Sequence, residues 1–253
     1  MPMAIGDGSD SVDLAGKVAL VTGAGRRVGA AIACALGEAG MRVAVHHHGS
    51  AAGAAEVCEQ IAAAGGEGWA VAADLDDRKA ARHLVDRTIE HFAGLDLLVL
   101  SAASFEATPL DTLDDAAWDR VLNLNLGAPF AMAQRATEAL RAARGSLVFI
   151  GCTSRRAPFR DYLPYQVAKA GIHQMMRALS LQLAPEVRVN AVAPGSVLPP
   201  DEFDDSQLDA LRRSIPLGRL GSAADVARAV LHLARSPFIT GQELVVDGGR
   251  TLT

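Results

Sequence analysis

Short apolar runs alternate with longer, helically spaced stretches along almost the whole chain. The first run, KVALVTG, closes on glycine and is followed by VGAAIACALGEAG, whose small and apolar residues recur at helical spacing. MRVAVHH is a second such run, and AAGAAEVCEQIAAAGG a second helix with a glycine stop. GWAVAAD, LDLLVLSAA, GSLVFIG, VRVNAVAPG and ELVVDGG continue the series to seven strand candidates, with helical segments between nearly all of them. Strands that alternate with helices imply right-handed βαβ units, so the expected class is α/β, a parallel sheet covered by helices on both faces. No repeat or linker divides the chain. Residues 14–253 read as one domain behind a loose tail at 1–13. Residues 196–216, SVLPPDEFDDSQLDALRRSIP, break the rhythm with prolines and acids before turning helical. Placed after the sixth strand, they lie beyond the carboxyl ends of the strands, where such sheets bind ligands. They read as a substrate lid or as an ordinary surface helix.

Composition narrows the class of partner. The chain has 253 residues, half of them apolar and only 4% aromatic, which suits helices packed closely on a sheet through small side chains. A net charge of −5 leaves no electrostatic footprint for nucleic acid, and the arginines of RRAPFR are only a local run. Cys34, Cys58 and Cys152 are odd in number and lack CxxC spacing, which argues against a disulfide framework. The first residues, MPMAIGDGSDSVDLAG, carry acids where an export signal needs basic and apolar stretches, and no apolar run is long enough to span a bilayer. A cytoplasmic protein acting on a small molecule, without nucleic acid or membrane partners, is expected.

The segment VTGAGRRVGA joins the first strand to the first helix. A dinucleotide pyrophosphate needs a tight turn, a close backbone approach and a helix N-terminus there, and Gly23, Gly25 and Gly29 supply positions without side chains. The second strand, VAVHHHGS, ends without the acid that would bind the ribose hydroxyls of NAD; it offers His46, His47, His48 and Ser50 instead. With Arg26 and Arg27 close by, NADP is favoured. The three histidines are no metal site, because consecutive strand residues point to alternate faces.

Tyr165 and Lys169 stand four apart, one helical turn on the same face. A free phenol titrates near ~10 and needs a neighbouring cation to work as an acid or base at neutral pH. With the glycine turn about 140 residues earlier, the pair makes this chain resemble the short-chain dehydrogenase/reductase family from about residue 14 to the end. Thr22 to Gly29, Asp74, Asn125 in NLNLGAPF, Tyr165, Lys169, Pro194-Gly195 and VDGG at 246–249 carry the resemblance. It implies a single-domain Rossmann fold with a seven-stranded parallel sheet, and a homotetramer built by pairing the helices that carry Asn125 and Tyr165. The apolar residues within 171–184 suit either such an interface or packing on the sheet. The resemblance also implies a proton passing at Tyr165, with Lys169 and an Asn125-held water in support. It sets NADPH against Thr22, Gly23, Arg26, Arg27, Val28, His46, His48, Ser50, Asp74, Leu75, Ser101, Ala102, Tyr165, Lys169, Pro194 and Gly195.

Three positions depart from the family pattern. Arg27 stands at the middle glycine of Thr-Gly-x-x-x-Gly-x-Gly. Leu100-Ser101-Ala102-Ala103, followed by Ser104-Phe105, replaces Asn-Asn-Ala-Gly. Cys152 stands thirteen residues before Tyr165, where serine is usual. The first two resemble the pteridine reductase branch, in which a flat pterin would lie between Phe105 and the nicotinamide, with Arg27, Ser104 and Tyr165 as further substrate contacts. The third departs from that branch, which has aspartate there. A thiol is a weak hydrogen-bond donor, so Cys152 reads equally as a member of the catalytic group with Tyr165, Lys169 and Asn125 or as an apolar filler. Tyr162 reads as a site-lining ring or as packing at the helix start. The expected activity is NADPH-dependent hydride transfer to a C=N or C=O carbon, with a pterin first. A keto-reductase acting on 3-oxoacyl thioesters or small ketones, and a non-catalytic NADP-binding homologue, are the alternatives.

Overall fold

The computed structural model describes residues 11–197 and 204–253. Seven parallel strands form one sheet in the order β3-β2-β1-β4-β5-β6-β7. They are β1 (Val18–Val21), β2 (Arg42–His47), β3 (Glu67–Ala72), β4 (Leu97–Leu100), β5 (Ser146–Ile150), β6 (Arg188–Pro194) and β7 (Glu243–Val246). The helices between them are α1 (Arg27–Glu38), α2 (Ala51–Ala63), α3 (Arg78–Phe92), α4 (Asp115–Leu122), α5 (Ala128–Ala143), α6 (Leu163–Leu183), α7 (Asp205–Arg213) and α8 (Ala223–Arg235). The expected Rossmann architecture is the observed one.

Alternation along each strand feeds two separate cores. Ala19, Val21, Val43, Val45, Val99 and Val192 face one way, onto Ile32, Leu36, Ile61 and Val230 of α1, α2 and α8. Leu20, Leu98, Leu147, Phe149 and Ala191 face the other way, onto Leu84, Met132, Leu140, Ile172 and Met176 of α3, α5 and α6. Both faces are covered, which is why the strands read as continuous apolar runs. The strand order reverses between β1 and β4, and there the two chain directions leave a crevice at the carboxyl ends.

Two sequence expectations at the edges of the domain change in detail. The first ten residues of the expected tail lie outside the described residues, but its end is docked: Val12 N–H donates to Arg235 O at 2.8 Å, and Leu14 is buried. Of the expected lid, residues 198–203 lie outside the described residues. Its helical half is α7, whose first turn is closed by a reciprocal Asp204–Gln207 capping box and which buries no residue. No described helix is long and apolar enough to cross a membrane.

Candidate active site

The glycine turn is shaped by close backbone contact. A side chain at Gly29 would bring its Cβ to 2.2 Å from Gly23 O, and one at Gly23, where φ is +65°, would reach 2.9 Å from Ala102 Cα. Arg27 opens α1 at φ +55°, the left-handed region that explains why a glycine usually stands there. The helix starts matter as much. α3, α4, α7 and α8 begin with Asp77, Asp114, Asp204 and Ser222, whose side chains accept from their own first-turn N–H groups. α1 and α2 have no side-chain cap at Arg26 or Ser50. A helix start without a side-chain cap suits an anion, and both starts border the crevice where the phosphate groups of a dinucleotide would lie.

Several residues expected at the cofactor brace this loop. Thr22 is buried, and its Oγ1 accepts from the N–H groups of Ser101 and Ala102 at 2.9 and 3.0 Å, tying β1 to β4. His46 is also buried. Its Nδ1 accepts from Gly23 N–H at 3.0 Å and its Nε2 faces Ala73 O at 3.2 Å, so both nitrogens are committed to backbone. Burial lowers its pKa to about 4, and it stays neutral in that role at ordinary pH. The Leu75 side chain is in the core. His48 and Asp74, by contrast, are exposed at the rim, with His48 Nδ1 3.9 Å from Asp74 Oδ1.

The catalytic candidates converge at the carboxyl end of β5. Lys169 Nζ donates to Ile150 O at 2.8 Å and lies 5.5 Å from the Tyr165 ring centre. Burial lowers its pKa to about 8. Burial also pushes the Tyr165 phenol well above its ordinary range, and Cys152, hydrogen-bonded beside it, adds to the shift. This corrects the expectation of a phenol lowered by Lys169: burial and Cys152 raise it instead, and Tyr165 stays in the protonated form that can donate a proton. Cys152 therefore sits in the cluster rather than in the core. Its Sγ accepts from Ser154 N–H at 3.4 Å.

Asn125 lies in a π-helical turn, Asn123–Gly127, between α4 and α5. Such turns are frequent at functional sites, and here the extra residue directs the amide inward. Asn125 is 1% exposed; its Nδ2 donates to Val121 O and Ser104 O at 3.0 and 3.1 Å, while its Oδ1 has no protein partner. A buried acceptor without a partner suits a bound water. Ser104 is used on its backbone side by Asn125, and its hydroxyl donates to Glu106 at 3.0 Å. Tyr162 stacks on Phe105 with ring centres 4.3 Å apart. The resemblance marked no part for Glu243, at the start of β7. It is 7% exposed and holds Arg155 at 2.5 Å, in the turn after Cys152, and His173 at 3.1 Å, one turn beyond Lys169. Its only sequence signal is an acid opening an apolar strand.

Comparison with known proteins follows this geometry. A family model described as Enoyl-(Acyl carrier protein) reductase matches residues 23–251. The chain belongs to the short-chain dehydrogenase/reductase family. Its similarity runs to 3beta-hydroxysteroid dehydrogenase 1 of Eggerthella lenta, 34% identical over 95% of each chain. It is likewise similar to the 3-oxoacyl-[acyl-carrier-protein] reductase FabG of Staphylococcus aureus (strain Mu50 / ATCC 700699), 33% identical over 92% of this chain and 97% of that one. Among solved structures, the angucycline C-6 ketoreductase LanV with bound NADP superposes with a TM-score of 0.89 at 31% identity, over 95% of this chain and 98% of that chain. As a short-chain dehydrogenase/reductase the protein is an oxidoreductase, and the expected non-catalytic alternative is set aside.

Proposed function

We propose that this short-chain dehydrogenase/reductase is an NADPH-dependent reductase that turns a ketone into a secondary alcohol. The observation that carries the reading is the clustering of the Tyr165 phenol with Lys169, Cys152 and the unpartnered Asn125 Oδ1 beside the end of β5. Arg26, Arg27, His48 and Ser50, around the uncapped starts of α1 and α2, would hold the phosphates, including that of NADP. When bound, NADPH supplies the hydride that reduces the carbonyl carbon. Tyr165 donates its proton to the carbonyl oxygen, so that the product is an alcohol. Lys169, charged below pH 8, stabilises the phenolate left behind. A water on Asn125 Oδ1 would return the proton. Relatives named as ketoreductase and 3-oxoacyl reductase support the ketone.

A pterin reading rests on Arg27 and Phe105 and has less support. Cys152 stands where that branch has a proton-carrying aspartate. We further propose that the chain forms a homotetramer through α5 and α6, on which Phe130 and Val167 are exposed in the single chain. NADPH oxidation with ethyl acetoacetate, 1-tetralone and dihydrobiopterin is the test. Turnover of ketones with NADPH well above NADH supports the main reading; turnover of dihydrobiopterin alone replaces it with the pterin one. Gel filtration at monomer size would remove the tetramer.

A further inference from the structure

The chain is poor in aromatic residues, with 2 Trp, 2 Tyr and 7 Phe, yet both tyrosines and two phenylalanines meet at one place. Phe105 and Tyr162 stack at 4.3 Å with their planes 13° apart. Phe105 meets the Tyr165 ring edge-on at 4.9 Å, and Phe159 meets Phe105 and Tyr162 at 6.1 and 5.4 Å. A core cluster would be covered. This one is not: Phe105 is 51% exposed and Phe159 39%.

The cluster is built by backbone rather than by collapse. Thr108 N–H donates to Asp161 O at 2.5 Å, and an isolated parallel bridge joins Thr108 to Tyr162. That bridge zips the loop after β4 to the loop before α6 and so brings Phe105 onto Tyr162. Asp161 takes φ +64° to make the connection. Gln166, on the first turns of α6, clasps the same loop: Phe159 N–H donates to Gln166 Oε1 at 3.1 Å, and Gln166 Nε2 donates to Phe159 O at 2.6 Å. The exposed rings are thus fixed before anything binds, and fixed rings make a binding surface at little ordering cost.

We infer that Phe105, Tyr162 and Phe159 form a stacking platform for a flat aromatic ketone, one whose carbonyl is attached to or fused with its ring system. This inference rests on the ketone-reductase reading and names its substrate class. The platform starts one ring away from the Tyr165 phenol. A ring stacked there therefore places only a carbonyl directly on that ring within reach of the proton. A flexible acyl chain has no flat face to offer, and a saturated ring has the bulk without the π-surface that offset or edge-on stacking requires. The reaction is unchanged: hydride from bound NADPH to the carbonyl carbon, and a proton from Tyr165 to its oxygen.

The test compares three ketones of equal carbon number with the purified, NADPH-loaded enzyme: 1-tetralone, 1-decalone and 2-decanone. The expected result is a KM for 1-tetralone at least tenfold below those of the two saturated ketones. In Phe105→Leu that gap shrinks to less than threefold, with the rise confined to the 1-tetralone KM. Tyr162→Leu provides the second variant should Phe105→Leu fold poorly, and a gap unchanged in a folded variant overturns the inference. Equal KM values for 1-tetralone and 1-decalone in the native enzyme also overturn it, while leaving ketone reduction intact. Turnover of none of the three, with dihydrobiopterin reduced instead, overturns the reading beneath it.

Discussion

The two walls of the crevice are made differently. On the β1–β2 side the surface is backbone: Gly23 and Gly29 pressed together, two helix starts without caps, and Thr22 and His46 spending their polar atoms to hold the loop still. On the β4–β5 side the surface is side chain: a protonated phenol, a buried ammonium, a thiol, an amide oxygen with no protein partner, and half-exposed rings. Backbone N–H groups can recognise a phosphate without a particular side chain, so an arginine can stand at the middle glycine position, although at a left-handed φ. Side chains recognise one shape and one chemistry, so the departures at Ser104-Phe105 and Cys152 bear on the substrate and not on the fold.

The sharpest way to break this contrast is to damage each wall alone. Tyr165→Phe is expected to lower kcat by about 10³-fold while the NADPH dissociation constant, followed by fluorescence titration, changes little. Gly29→Ala should do the reverse: forcing a Cβ against Gly23 O costs about 2–3 kcal/mol, read as a lower Tm, and weakens NADPH binding before it touches chemistry. Glu243→Gln leaves Arg155 and His173 around a neutral amide in a nearly closed site. About 2 kcal/mol of stability should be lost in thermal or urea unfolding.

Smaller effects sharpen the picture of the side-chain wall. Lys169 loses its proton as pH rises through about 8, so kcat should fall above that pH. The stability effect has the opposite sign. Between pH 8 and 10.5 the unfolded chain holds a proton that the native one has released, so the cost of burying the ammonium, fully present below pH 8, fades as pH rises. A pH series of unfolding curves checks this. Cys152→Ser replaces a weak donor by a good one beside Tyr165; one such hydrogen bond in the transition state corresponds to about a three- to tenfold rise in kcat for a ketone. A fall would mean that the thiol is matched to its substrate in a way a hydroxyl is not.

The sequence by itself determined the architecture and named the side chains that the fold gathers at the end of β5. Apolar runs alternating with helical spacing dictate a parallel sheet, because period and burial act locally along the chain. Tyr165 and Lys169 were legible because a four-residue separation already places two side chains on one helical face. Tertiary structure decided whatever depended on a partner distant in the chain. It showed His46 and Thr22 to be braces of the glycine turn, since only the β1–β4 and β1–β2 neighbours show where their polar atoms go. It raised Tyr165 instead of lowering it, because burial is a property of the surroundings and not of the four-residue spacing. It recruited Glu243, seventy residues beyond His173, and set Phe105 on Tyr162 through a bridge between two loops that are separate in sequence. Local spacing fixes which side chains share a face; only the folded chain fixes what that face meets.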